Sequence, residues 1–304
     1  MLRLDGDDPL PTALRGGVAA LGNFDGVHLG HQAVIGRAVE RARAKGAPAL
    51  VVTFDPHPAR LFRPGAPPFA LTTVPQRLEL IAALGVDVAV VLKFDQAFAA
   101  ISAHDFVWGT LHDRLGLTGV ATGEDFTFGR DRAGHAAMLR AEMPKAEAVP
   151  PVLAPDGGVV SSTRIREALK AGYPQAAAAL LTRPFTIRGV VAHGDQLGRT
   201  LDFPTANVAL GDYLRPAYGV YAVRVRLPDG SLRDGVANLG IRPMFEPPVE
   251  LLETYVFDWS GDVYGQSIDV ELHHFIRPEW KLDGLDALKA QIAADCEAAR
   301  RLLI

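Results

Sequence analysis

His28 and His31 stand three residues apart with Gly30 between them, inside Leu21-Gly22-Asn23-Phe24-Asp25-Gly26-Val27-His28-Leu29-Gly30-His31. Imidazoles donate hydrogen bonds and carry positive charge near neutral pH, so a close pair suits phosphate oxygens. Gly30 admits another group close to the backbone. Asn23 adds a neutral polar side chain just upstream. A second constellation is Ser161-Ser162-Thr163-Arg164-Ile165-Arg166. There Ser162 or Thr163 can cap a following helix, and hydroxyls with backbone N–H groups suit the same oxygens. Arg166 supplies a planar, permanent charge for the anion. Each set also has a plainer reading: two histidines at a helix cap, and an ordinary Ser/Thr cap.

These residues need particular elements to hold them. Val18-Ala19-Ala20-Leu21 is a short apolar run that reads as a buried strand. Val34, Ile35, Ala38, Val39 and Ala42 recur at helical spacing and stop before Gly46. The histidine pair therefore lies where a strand turns into a helix, and unpaired N–H groups at a helix start favour anions. Further buried strands are expected at 49–54, 86–92 and 119–122, with helices at 76–83 and 103–115. Alternation of this kind predicts an α/β domain with a doubly wound parallel sheet. Ligands bind such sheets beyond the carboxyl ends of the strands. Asn23, Asp55, Phe94 and Asp125 all follow expected strands and can line one crevice. Taken alone, His57 is also a surface turn residue and Asp125 a turn-forming Asx residue.

From Phe185 onward the pattern changes to alternation with period two. Strands are expected at 187–191, 219–226, 232–239, 252–257 and 268–275, with Pro228-Asp229-Gly230 as a hairpin turn. Five or six antiparallel strands close most economically into a small barrel. A final helix carries Leu285, Leu288, Ile292, Ala299 and Leu303 as its packing stripe. The length of 304 residues agrees with about two domains.

Composition narrows the classes of partner. Hydrophobic residues at 48% and charged residues at 22% fit a globular protein with a sizeable core. A net charge of −4 gives no electrostatic reason to expect nucleic acid or an anionic membrane as main partner. Cys296 is the only cysteine, so no internal disulfide can form, and it is expected to pack as a small apolar residue. No apolar run reaches the roughly 18 residues of a membrane span, and residues 1–5 lack a signal-peptide core. A cytoplasmic protein is expected.

The string Gly-Asn-Phe-Asp-Gly-Val-His-Leu-Gly-His (22–31) resembles the His-x-Gly-His signature of nucleotidyltransferases. More specifically, it resembles the bacterial bifunctional riboflavin kinase/FMN adenylyltransferase family, the prokaryotic FAD synthetases. Thr53-Phe54-Asp55-Pro56-His57-Pro58, Gly123-Glu124-Asp125-Phe126-Thr127-Phe128-Gly129 and the Ser161–Arg166 stretch resemble three more of its segments. In the second half Gly194-Asp195-Gln196-Leu197-Gly198-Arg199 is similar to the kinase nucleotide loop, and Phe203-Pro204-Thr205-Ala206-Asn207 carries its Pro-Thr-Ala-Asn motif. Leu252-Glu253-Thr254 is similar to the segment holding the family's catalytic glutamate. Thr127, His135, Thr182, Asp202 and Met244 depart from the family pattern, and none is given a role.

The resemblance implies a nucleotidyltransferase domain over 1–182 and a riboflavin kinase-like barrel with its C-terminal helix over 183–304. It implies phosphorylation of riboflavin to FMN by ATP in the second domain and adenylylation of FMN to FAD, releasing pyrophosphate, in the first. His28, His31, Arg166 and Glu253 are then the catalytic residues. Asn23, Gly30, Ser162, Thr163, Gly194, Gly198 and Arg199 bind ATP or its phosphates. Asp55, His57, Asp125 and Phe126 are candidates for flavin binding. Thr205 and Asn207 offer oxygens two residues apart to Mg²⁺, the implied cofactor. Two other functions stand beside this one: an adenylyltransferase for pantetheine phosphate or a nicotinamide nucleotide with an accessory barrel, and a flavin- or nucleotide-binding sensor without catalysis.

Overall fold

The computed structural model describes residues 1–6, 8, 10–143, 145–192, 203–242, 249–280 and 283–304. Contacts divide the chain into two units. One is residues 1–67 with 73–161, and the other is residues 68–72 with 162–304.

The first unit holds strands β1 (Leu2–Asp5), β2 (Val18–Leu21), β3 (Ala49–Asp55), β4 (Val88–Lys93) and β5 (Gly119–Gly123). A short hairpin follows, β6 (Thr127–Phe128) with β7 (Gly134–His135), and then β8 (Ala146–Val149). Six strands form one parallel sheet in the order β1-β4-β3-β2-β5-β8. All of β2 is buried, and its side chains alternate between two cores. Val18 and Ala20 pack with Ile35, Ala38 and Ala42 of helix Leu29–Arg43 and with Leu78 and Ile81 of helix Val74–Ala82. Ala19 and Leu21 face Phe106, Leu111 and Leu139 on the other side. Two covered faces are what the doubly wound reading requires.

Three details differ from the sequence reading. Strands β1 and β8 lie at the sheet edges and are interrupted by charge, at Arg3 and Asp5 in β1 and at Glu147 in β8, so no apolar run marks them. Helix Val74–Ala82 begins earlier than residue 76, because Thr73 and Gln76 close a reciprocal capping box with Pro75 in the first turn. The helix expected at 103–115 is α-helical only at Ala103–Asp105 and becomes a wider π-helix over Phe106–Arg114. Gly109, in its middle, weakens the preference for the α form.

The second unit opens with helices Ser162–Lys170 and Pro174–Leu181. Contact therefore groups both helices with the strands that follow rather than with the parallel sheet. The second helix ends on Thr182, which takes a left-handed conformation (φ 64°) where glycine is the usual choice. Strands β9 (Phe185–Ala192), β10 (Ala206–Ala209), β11 (Gly219–Arg226), β12 (Leu232–Arg242), β13 (Val249–Val256) and β14 (Ser267–Arg277) close a barrel in the order β10-β13-β12-β11-β14-β9. Every pair is antiparallel. The Pro228-Asp229-Gly230 turn joins β11 to β12, with Gly230 at φ 84°.

The terminal helix Leu285–Leu302 lies on the outside of the barrel. Ile292, Cys296, Ala299 and Leu303 pack against Val220, Ala222, Val236 and Phe257. The expected stripe is corrected at its start, since Leu285 is 59% exposed. The helix is anchored further along by charge. Arg277 on β14 donates from Nε and Nη2 to the two oxygens of buried Asp295, at 2.9 and 2.7 Å. Cys296 beside it is buried, as its apolar reading requires.

Candidate active sites

In the first unit the chain leaves β2 at Leu21 and enters helix Leu29–Arg43 through a tight turn. Phe24 (φ 50°), Gly26 (φ 88°) and Val27 (φ 43°) all take left-handed backbone. The Val27 N–H donates to the Phe24 carbonyl at 3.0 Å, and Gln32 Nε2 donates to the Val27 carbonyl at 2.9 Å. Thr53 of β3 donates from its hydroxyl to the Asn23 carbonyl at 3.1 Å. A Cβ on Gly22 would lie 3.0 Å from the Phe24 ring, so a larger residue there needs the ring to shift slightly.

His28 is the N-cap of that helix, and its Nδ1 accepts the His31 N–H at 3.3 Å. With Nδ1 an acceptor, the neutral ring carries its proton on Nε2. The rings of His28 and His31 stack with centroids 3.5 Å apart and planes at 18°. The Phe24 ring meets His31 edge-on at 5.4 Å. Charging both imidazoles at this spacing costs roughly 5 kcal/mol at an effective dielectric near 20 unless an anion lies against them. A Cβ on Gly30 would come within 3.2 Å of His28 Cε1. The group that Gly30 admits is thus the His28 ring itself. Asn23 Oδ1 is buried without a hydrogen-bond partner among the described residues, leaving a polar group over for a ligand.

Strand β2 lies between β3 and β5, and the strand order reverses between β2 and β5. The loops after these strands therefore share the sheet's carboxyl edge. Asp55 ends β3 exposed, and its carbonyl accepts the Phe94 N–H at 3.0 Å. His57 caps helix Pro58–Phe62, its Nδ1 accepting the Ala59 N–H at 3.1 Å. Asp125 is exposed on the loop after β5. Phe126 stacks on Phe128 and packs partly against the core, so only part of its ring is open.

Ser162, Thr163 and Arg166 belong to the second unit. The capping reading is corrected here: the helix already includes Ser162, so the cap position falls to Ser161. Arg166 Nε donates to the Phe69 carbonyl at 2.8 Å, and its guanidinium lies 5.3 Å over the Phe69 ring. A backbone carbonyl and an aromatic face thus fix its direction.

On the barrel, Glu253 of β13 pairs in register with Asn207 of β10 on one side and Asn238 of β12 on the other. Directly opposed residues share a face, so Asn207, Glu253 and Asn238 form a polar row across three strands. Their neighbours Val208, Leu252 and Leu239 are fully buried on the opposite face. Thr205 lies two residues before Asn207, just ahead of the first residue of β10. Asn207 Oδ1 is buried with no hydrogen-bond partner among the described residues. Asn238 Nδ2 donates to Glu279 at 3.1 Å. A few neutral and anionic oxygens of this kind fit Mg²⁺ brought in with a nucleotide. Gly194, Gly198 and Arg199, with Asp202 and Met244, lie outside the described residues.

The sequence reading missed two groups near the first site. Arg77 is almost fully buried on helix Val74–Ala82, and its Nη2 is 3.9 Å from Asp25 Oδ1. Its signal was a charge placed among Val74, Leu78 and Ile81 on an otherwise apolar stripe. Phe62 is 67% exposed at the end of the short helix after His57, and its ring lies 6.0 Å from Phe94, which also touches Phe54 and Phe98.

Residues 10–164 match the family model for FAD synthetase, and residues 181–303 match that for riboflavin kinase. With an anion-suited histidine turn on one unit and a polar row on the other, these matches define an enzyme class that builds flavin nucleotides in two steps. Curated relatives match along nearly the whole chain. The bifunctional riboflavin kinase/FMN adenylyltransferase of Haemophilus influenzae is 40% identical over 290 residues, 94% of either chain. That of Escherichia coli K12 is 41% identical over 288 residues, covering 94% of this chain and 92% of its own. That of Bacillus subtilis is 38% identical over 291 residues, covering 93% and 92%. A crystal structure described as a macrolide-efflux protein from Streptococcus pneumoniae has a TM-score of 0.89 and 32% identity over 99% of each chain. The chain belongs to the family of bifunctional riboflavin kinase/FMN adenylyltransferases.

Proposed function

We propose that this chain makes FAD from riboflavin by two ATP-dependent reactions held on one polypeptide. Riboflavin and ATP give FMN and ADP, and FMN and a second ATP give FAD and pyrophosphate. One observation carries this most: the two family models fall in tandem on one chain, over 10–164 and 181–303. We assign adenylylation to residues 1–182 and phosphorylation to residues 183–304.

In adenylylation an oxygen of the FMN phosphate attacks the α-phosphorus of ATP, and the bond to the leaving pyrophosphate breaks. The nucleophile is already ionised, so no general base is required. The site must align two polyanions and stabilise the charge that develops on the leaving group. His28 Nε2–H, His31 and the helix N-terminus suit that task, with Asn23 as a neutral partner. Arg166, Ser162 and Thr163 are proposed as further phosphate ligands. Asp55, His57, Asp125 and Phe126 are proposed to face the flavin, and the exposed Phe62 ring supports stacking of the isoalloxazine beside them.

In phosphorylation the nucleophile is a neutral ribityl hydroxyl. Its proton passes to the Glu253 carboxylate as the oxygen takes the γ-phosphoryl group of ATP. Thr205 and Asn207 would hold Mg²⁺, which neutralises nucleotide phosphates when bound; the Asn207 oxygen, unpartnered among the described residues, supports this. Gly194, Gly198 and Arg199 are proposed to bind ATP. ATP as co-substrate of both steps supports the cytoplasm as the place of action.

The name of the solved relative from Streptococcus pneumoniae points elsewhere, to macrolide efflux. Among the described residues no helix is long and apolar enough to cross a membrane, and both family models are those of flavin nucleotide synthesis. A substrate test separates the readings. Purified protein given riboflavin, ATP and Mg²⁺ is followed by chromatography for FMN and FAD separately. FMN should rise first and FAD after it; absence of both flavin nucleotides would overturn the proposal.

A further inference from the structure

We infer that Arg77 is a positioning residue for adenylyl transfer: from helix Val74–Ala82 it holds Asp25, and through Asp25 the left-handed turn that delivers His28. This rests on the adenylylation reading above. Residues 24–27 are hard to keep in place. Phe24 and Val27 both have positive φ, at 50° and 43°, and for a branched residue such as Val27 that conformation is a true outlier. Strained backbone persists only where its surroundings over-determine it. Part of the hold is apolar, since Phe24 and Val27 are buried in the core between sheet and helices. Another part is ionic. Asp25, the acidic member of the turn, is 2% exposed, and Arg77, which faces it at 3.9 Å, is 4% exposed.

Arg77 is an expensive residue to keep there. Its Nε and Nη1 are buried without hydrogen-bond partners among the described residues. Burial pushes its pKa down, and the charges of Asp25 and then Asp55 oppose that fall. Asp25 follows β2 and Asp55 ends β3. The guanidinium thus meets the turn that follows β2, at the edge where His28 sits. Asp25 stands three positions before His28. A shift of the turn moves His28 Nδ1 off the His31 N–H and removes the reason for its single tautomer.

The test uses full-length Arg77→Lys and the double variant Asp25→Asn/Arg77→Gln, which keeps the pair's shape without a stranded buried carboxylate. His28→Ala serves as reference. FMN formation from riboflavin, read on the same samples, should stay at the wild-type rate. FAD formation from supplied FMN should lose tenfold or more in kcat, with KM for ATP and FMN changed less than threefold. In ¹⁵N spectra of histidine-labelled protein, His28 should lose the pattern of a single Nε2–H tautomer. A role in packing alone predicts that the neutral double variant keeps both wild-type kcat and wild-type His28 signals; that result overturns the inference. If His28→Ala itself keeps FAD formation, the adenylylation reading fails and the inference with it. If His28→Ala is inactive while Arg77→Lys runs at the wild-type rate, the role of Arg77 alone is refuted.

Discussion

Replacing His28 removes two things at once, and the structure lets them be separated. The first is the helix cap, in which Nδ1 accepts the His31 N–H at 3.3 Å. Losing an N-cap acceptor costs about 1 kcal/mol. In a unit of this size that lowers the melting temperature by roughly 2–4 °C. The second is the Nε2–H donor proposed for the charge that grows on the leaving pyrophosphate. Losing one such donor costs on the order of 10²–10³ in kcat, about 3–4 kcal/mol. His28→Ala should show both losses. His28→Asn should show only the second, because asparagine is among the best N-caps yet places no donor where Nε2 was. FAD formation from FMN and ATP, followed by chromatography, reads the catalytic loss, and thermal denaturation reads the cap. FMN formation from riboflavin should be unchanged in both proteins. If His28→Asn made FAD at the wild-type rate, His28 would be a cap and nothing more. If His28→Ala lost FMN and FAD formation in parallel, the two sites would not be independent.

On the role proposed for Glu253, Glu253→Gln keeps the shape of the side chain and removes the proton acceptor, so FMN formation should fall about 10²–10⁴-fold while supplied FMN is still converted to FAD. Paired chromatographic assays on one sample decide this. Thr182→Gly should stabilise the protein by about 1 kcal/mol in a denaturant melt, because Thr182 holds a left-handed φ of 64° that glycine adopts without strain. Burial holds the Cys296 thiol up to about 11, against an ordinary 9.0. The unfolded chain then loses this proton first. The contribution of Cys296 is constant below pH 9 and declines as pH rises toward 11, by at most about 1.4 kcal/mol per pH unit. Equilibrium unfolding of Cys296→Ala should therefore vary less with pH across that window than unfolding of the wild type.

What could be read from the sequence was whatever a short window encodes. Strands β2, β3 and β4 are apolar runs, buried on both faces, and they need no partner to be recognised. The histidine pair was legible for the same reason, since its spacing lies within a few residues. Strand β1 and β8 were not, because a strand at the sheet edge is defined by its neighbour rather than by its own pattern. Leu285 belongs to a periodic stripe, yet that periodicity cannot say where the barrel surface ends. Arg77 was missed because its meaning comes from Asp25, which is close in space and distant in the chain. A lone charge on an apolar helix face was the available clue, and it is one that only a fold can interpret.

The polar row proposed for the kinase step depends on register more than on any single side chain. Glu253 meets Asn207 and Asn238 because β13 pairs with both neighbours without a slip, residue by residue over 251–254 against 206–209 and over 249–256 against 235–242. A shift of one position would turn Glu253 toward the barrel interior and bring out Thr254, a fully buried residue whose hydroxyl could not replace a carboxylate base. A closed barrel still has to absorb irregularity somewhere. Here the register shifts fall between β11 and β14, at residues 220/221 and 222/223. That ladder does not contain β10 or β13, and the terminal helix covers Val220 and Ala222 on it. The fold thus bends where packing can compensate and keeps strict pairing where a proton and a phosphoryl group would have to meet.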